Sequence, residues 1–214
     1  MMNPICSDQI KLGNEVLLMM QRTTLILSLC LFAACLASAL PAANIAALPD
    51  SLRWPDESLG RVPMDVPPTG YHIRIDKSEH KLSLYQDGLL LKSFTTAVGK
   101  GSGDKIQQSQ WMTPEGNFYI SNIHDASKWT FRYGKQVESA YGPWFLRLVT
   151  GKNETFSEKS WTGIGIHGTS RPHELGTHAS HGCIRVSNDN IRELKSLIEG
   201  QFERGERIWV VIVP

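Results

Sequence analysis

From residue 71 onward, short stretches alternate apolar and polar positions between turn-forming residues. A two-residue period of this kind belongs to strands buried on one face. Residues 71–76 and 80–86 both alternate, and Asp87-Gly88 then makes a two-residue turn into residues 89–98, which predicts a hairpin. Further strands are expected at 117–121, after the Thr113-Pro114-Glu115-Gly116 turn, at 144–149 and at 163–166. Ile184-Arg185-Val186 is a short run that favours a strand, and residues 207–213 read as a buried closing strand. The period changes to helical only once. Ile191, Leu194, Leu197 and Ile198 share one face of a helix over about 189–199, with Ser187 or Asn188 capping its start and Gly200 just past its end. Many short strands with one main helix predict a mostly β domain, sandwich or barrel-like, over residues 70–214. No internal repeat is present.

The N-terminal third has a different character. Residues 20–39 carry Arg22, an apolar core at 25–36 and the small-residue run Ala37-Ser38-Ala39, the layout of a secretory signal peptide. The apolar run is about a dozen residues, short for a span that needs roughly 20. Asp8 and Glu15 precede it, so translation is expected to start at Met19 or Met20. Ala33-Ala34-Cys35 resembles a lipidation box but has Phe32 where leucine is usual, which leaves a lipid anchor at Cys35, or an uncleaved anchor, as the weaker alternatives. Six prolines between 40 and 69 break helix and strand alike and predict a tether. The division expected is therefore residues 1–39, signal and extension; 40–69, proline-rich linker; and 70–214, folded domain.

Composition adds little except by exclusion. The chain is 41% hydrophobic and 20% charged with a net charge of +1, and removal of residues 1–39 leaves that charge unchanged. Nothing in this balance points to nucleic acid. The signal directs the domain to a periplasm or the cell exterior, where a free thiol is a liability unless its chemistry is used.

Cysteine placement sharpens that point. Cys6, Cys30 and Cys35 all lie in the first 35 residues, so Cys183 is alone in the folded part. It follows Gly182 where a loop enters the Ile184-Arg185-Val186 run, a rigid place for a nucleophile. A thiol needs a base or a cationic neighbour to react at neutral pH. His167 ends the 163–166 strand with Gly168 behind it, and His181 sits two residues before Cys183, as a second base or a loop brace. Two other readings remain open on spacing alone. Cys183 can be a small buried residue, or His167, His173, His178, His181 and Cys183 can hold zinc, although their spacing matches no common structural zinc pattern. The glycine-rich loop at 99–104 lacks the Gly-Lys-Ser/Thr ending of a phosphate cradle.

His167-Gly168-Thr169, Pro172, Gly176 and Ser180-His181-Gly182-Cys183-Ile184-Arg185 together resemble the signature of the L,D-transpeptidase catalytic domain, the YkuD-type family of peptidoglycan cross-linking enzymes. Ile75-Asp76, Ala97-Val98-Gly99, residues 113–120 and Gly165-Ile166-His167 fall in that family's order, and the resemblance covers about 70–213. It implies an L,D-transpeptidase-type β domain with Cys183 as nucleophile and His167 as general base, oriented by the Gly168 carbonyl. The thiolate would attack the carbonyl between a diaminopimelate-like residue and D-Ala in a tetrapeptide stem. D-Ala would leave, and an amine would resolve the thioester as a 3–3 cross-link, a D-amino acid exchange or a protein attachment, for instance to an outer-membrane lipoprotein. N–H groups around His181, Gly182 and Cys183 would form the oxyanion hole. Arg185, with Ser180 and Gly168, would bind the stem peptide, Arg185 through a carboxylate. No metal or organic cofactor is implied; carbapenem sensitivity and a monomer are expected. Trp144, Trp161 and Tyr141 are candidates for the cleft wall, and the undistinctive stretch between Gly116 and Trp144 is where a lid would differ. The alternatives are a hydrolase of the same fold, a zinc peptidase, or a cell-wall binding module without turnover.

Overall fold

Eight strands make one curled sheet built around the pairing of the first strand with the last. In this computed structural model residues 69–149 and 159–214 are described. The signal segment, Cys35 and the linker expected over residues 40–68 lie outside them. In chain order the elements are β1 (Tyr71–Asp76), β2 (Lys81–Gln86), β3 (Leu89–Thr95), β4 (Val98–Gly99), β5 (Gly116–Asp125), β6 (Phe131–Tyr133), β7 (Gln136–Glu138), β8 (Trp144–Val149), β9 (Gly165–His167), β10 (His178–Ser180), β11 (Ile184–Arg185), α1 (Asn188–Glu203) and β12 (Trp209–Val213). The sheet order is β11-β9-β8-β5-β12-β1-β2-β3; β4 pairs with β10 and β6 with β7 in two small ribbons.

The Asp87-Gly88 turn takes positive φ at both residues, 51° and 79°, the geometry that lets a two-residue turn follow the twist of its strands. Its register sets Ile73 opposite Leu84 and Ile75 opposite Leu82, so all four face one core. β1 runs parallel to β12, with Ile73 beside Val210 and Ile75 beside Ile212. Ile191, Leu194 and Ile198 of α1 complete this core, all fully buried. Each such side chain contributes about 1.5–3 kcal/mol by leaving water.

Three expectations shift. The strand expected over residues 89–98 divides. At Thr96 the chain leaves β2, bonding His80 O through its N–H and accepting the Gly176 N–H at its carbonyl, both at 2.8 Å. Ala97 then exchanges two 2.9 Å backbone bonds with Arg185, so the chain leaving one edge strand, β3, meets the opposite edge strand, β11. The helix runs through Gly200, because Gln201 on the next turn is buried and ties β1 to the approach of β12: its Oε1 accepts the Tyr71 N–H at 2.7 Å and its Nε2 donates to Arg207 O at 3.0 Å. Gly205, at φ 75°, follows the true end, and Ser187 caps the start by accepting the Asn190 N–H. Finally, the β6–β7 hairpin lies in the stretch that carried no strand signal.

Candidate active site

Cys183 sits in the turn between β10 and β11, and that turn is braced from both sides. Ser180, fully buried, accepts the Gly182 N–H on its hydroxyl at 3.0 Å and donates to Cys183 O at 2.5 Å. From the other side the Thr113 hydroxyl accepts the Gly99 N–H at 2.8 Å and donates to Gly182 O at 3.0 Å. Gly182 takes φ 130°, and a Cβ there would lie 3.0 Å from Met112 O, so only glycine fits without strain. The half-buried Cys183 thiol lies 3.4 Å from Gly163 O. Burial pushes it above its ordinary value, while a Gly165 backbone hydrogen bond and the charges of Arg185, Arg147 and Lys105 pull it back.

His167, the candidate base, stands on the neighbouring strand. β9 and β11 are parallel, with Ile166 beside Ile184 and His167 beside Arg185. The His167 ring is 3% exposed, stacked on Phe145 with centroids 5.5 Å apart and lying 5.0 Å from the Tyr141 ring. Its Nδ1 lies 2.6 Å from Gly168 O. A carbonyl only accepts, so Nδ1 carries the proton toward Gly168, and the Tyr141 carbonyl also hydrogen-bonds the ring. Burial holds His167 down to about 4; the Gly168 and Tyr141 carbonyls oppose that shift, and Arg185 adds to it. The Gly168 carbonyl is itself held in place. A Cβ on Gly168 would lie 2.3 Å from Asn188 Oδ1 and 3.0 Å from Gly142 Cα, and the same Asn188 oxygen accepts the Thr169 N–H at 2.9 Å.

Cys183, His167, Ser180, His181 and Arg185 line one cleft of about 230 Å³, with Lys105 and Phe131 on its walls. A second cleft of about 410 Å³, lined by Trp129, Tyr141, Phe145 and Arg147, meets it at Cys183. The β6–β7 hairpin leans over the first cleft: the Phe131 ring lies 5.4 Å from His181. An ion-pair chain ties this hairpin down. Arg171 grips Glu138 through Nη2 at 2.6 Å and Nε at 3.1 Å and reaches Glu174 at 3.4 Å, and Glu174 pairs with Arg185 at 2.6 Å.

The profile of the L,D-transpeptidase catalytic domain matches residues 70–212. The chain belongs to that family. It is 29% identical over 128 residues to the YkuD protein of Bacillus subtilis (strain 168) and 30% identical over 128 residues to the YkuD protein of Bacillus licheniformis, covering 60% of this chain in each case. The matched part spans 60% of the length of both relatives. Among solved structures, an L,D-transpeptidase from Mycobacterium smegmatis superposes with a TM-score of 0.45 at 16% identity, over 67% of this chain and 58% of that one.

Within this L,D-transpeptidase domain the residues singled out from sequence gather around one turn. Ser180, expected on the substrate side, is wholly buried, and its hydroxyl bonds the turn's own backbone. It takes the Gly182 N–H, so the central N–H of this turn is already engaged. Arg185 is 4% exposed and already engaged by Glu174. The His181 ring packs edge-on to Trp111 at 4.3 Å, and burial, then Lys100 and Arg185, keep it below its ordinary value. Of the zinc candidates, His178 instead packs edge-on to His80 at 4.6 Å. Among the described residues no three His, Cys, Asp or Glu side chains converge as metal ligands. Sequence reasoning missed Lys105, Thr113 and Asn188 as parts of the site. The Thr113-Pro114 turn was visible, but nothing in the pattern of a loop reveals which backbone groups its side chains will meet.

Proposed function

We propose that the protein is a cysteine-dependent L,D-transpeptidase acting on peptidoglycan tetrapeptide stems outside the cytoplasmic membrane, where the signal at residues 20–39 delivers it. The observation that carries this reading is the shared cleft of Cys183 and a neutral, oriented His167. With the thiol held up and the imidazole held down, the resting pair is neutral rather than an ion pair. The Cys183 proton therefore moves to His167 Nε2 as sulfur attacks the carbonyl carbon preceding D-Ala. Backbone N–H groups of the 181–183 turn receive the oxyanion. The C–N bond breaks, His167 returns its proton to the departing D-Ala amine, and a thioester remains on Cys183. An acceptor amine entering by the second cleft attacks the thioester and gives its proton to His167. Sulfur leaves and is reprotonated, and a new amide has formed. Another stem, a free D-amino acid or a lysine of an envelope lipoprotein all supply such an amine.

The test is intact-protein mass spectrometry with a carbapenem, whose strained amide acylates a nucleophile and stays attached. A single adduct on the wild type, with none on Cys183→Ala, is expected. D-Ala release from a tetrapeptide stem by Cys183→Ala protein would overturn the reading.

A further inference from the structure

Three cationic side chains of the described residues are almost completely buried: Lys77 at 3% exposure, Lys105 at 2% and Arg185 at 4%. Two of them meet a carboxylate, Lys77 with Glu115 at 2.7 Å and Arg185 with Glu174 at 2.6 Å. Lys105 does not. Its ammonium donates to two neutral carbonyls, Gln108 O at 3.2 Å and Gln110 O, and lies 5.4 Å from the centroid of the Trp161 ring. The adjacent Asp104 turns elsewhere, its Oδ1 accepting the Glu115 N–H at 2.8 Å. An ammonium has three N–H groups, so one is left beyond the two carbonyls. Lys105 lines the cleft that holds Cys183, near enough for its charge to act on the thiol.

A buried charge is costly without a counter-charge. The protein supplies one to Lys77 and Arg185 and, among the described residues, none to Lys105. We propose that Lys105 anchors a carboxylate of the donor stem beside the scissile carbonyl and selects stems whose carboxyl groups are free rather than amidated, an inference that rests on the stem-peptide substrate proposed above. The anion supplies the counter-charge that no described residue gives Lys105. The two carbonyls and the indole fix the ammonium in position beforehand, so little freedom is lost when the carboxylate arrives. An amidated stem offers a neutral carboxamide and leaves the buried charge unpaired.

Binding to Cys183→Ala protein, followed by calorimetry, tests this with two probes: the tetrapeptide L-Ala-γ-D-Glu-diaminopimelate-D-Ala with all carboxylates free, and the same peptide with them converted to carboxamides. The free peptide should bind about 10- to 100-fold more tightly, as a charge-assisted hydrogen bond implies. Adding Lys105→Gln should erase that gap, and Lys105→Arg should keep most of it. Equal affinity for the two peptides overturns the inference, and this comparison needs no change at position 105 should the glutamine variant fail to fold. A gap that survives Lys105→Gln also overturns it. So does an unchanged gap accompanied by slower iodoacetamide alkylation of Cys183 in Lys105→Gln protein, which would put the lysine to work on the thiol alone. D-Ala release by the wild type is read separately. A carboxylate preference without release sinks the transpeptidase reading and keeps the anchor; release without a preference does the reverse.

Discussion

His167 donates from Nδ1 to the carbonyl oxygen of Gly168, the next residue in its own chain, at 2.6 Å. The imidazole is thus oriented by backbone rather than by a carboxylate, and no buried anion raises its proton affinity. Burial prevails, and the ring stays neutral down to about pH 4.

That depression has a sign in stability. The unfolded chain protonates this histidine near 6.5 and the folded one only near 4, so between those values the unfolded state binds the extra proton. The contribution is fully present above about pH 6.5 and is lost as pH falls towards 4, up to roughly 3 kcal/mol. Urea unfolding from about pH 4.5 to about pH 7 should show stability rising with pH, and His167→Gln should flatten the rise. An undiminished slope in that variant would place the acid sensitivity on other groups. The same variant should lose at least about 100-fold in D-Ala release, as removal of a general base does.

Asn188 packs against Gly168, whose carbonyl orients His167. Its Oδ1 holds the Thr169 N–H at 2.9 Å and fills the space where a Cβ on Gly168 would sit. Asn188→Ala should let the Gly168 carbonyl drift, lowering kcat by about 10-fold with KM little changed. Asn188→Asp keeps the acceptor oxygen and should recover most of the loss. Equal falls for both variants, or a change confined to KM, would argue against positioning of His167.

Glu138 and Arg171 latch the hairpin that carries Phe131 over the cleft. The pair holds a two-stranded ribbon outside the eight-stranded sheet, so losing it opens that ribbon rather than the core. Glu138→Gln should leave the melting temperature nearly unchanged yet speed hydrogen exchange at 131–138 and alkylation of Cys183. High salt should move the wild type the same way, by screening the latch. Unaltered exchange in the variant would show that the aromatic contacts alone hold the hairpin.

Lys77 and Glu115 form the opposite case, with both side chains 4% exposed. The lysine also donates to Gly103 O at 2.5 Å and Thr113 O at 3.2 Å, so it fixes the segment whose threonine braces Gly182. Lys77→Met strands the carboxylate and should cost about 3–5 kcal/mol in urea unfolding. Lys77→Met with Glu115→Leu should cost less than the single change. A single variant as stable as wild type would mean that water reaches the pair.

Much of this architecture could be read from alternation. The first hairpin and the apolar face of α1 each bury one stripe of side chains, and β12, buried on both faces, reads as a continuous apolar run. Legibility ended where burial did: the outer half of β5 is largely half-exposed, and β6–β7 is too short and too exposed to leave a pattern. Gly200 looked like a helix terminator because its own preference is local, whereas Gln201 extends the helix through contacts 130 residues away with Tyr71. The region of the site was visible as a His-to-Cys segment, since cysteine rarity and glycine turns are local signals. Lys105 was not, because a lysine among Ser, Gly and Gln reads as solvated until the fold encloses it. Asn188 looked like a helix cap, a duty that Ser187 takes, and its side chain turns to Thr169 instead.

The middle of the sheet joins the two ends of the described chain, with His72 beside Trp209 and Asp76 beside Val213. A polypeptide emerging from its N-terminus therefore makes β1 early and must wait for β12, the last element, before the sheet has a centre. Contacts so far apart in sequence are slow to form. An incomplete chain therefore cannot trap itself in the native topology.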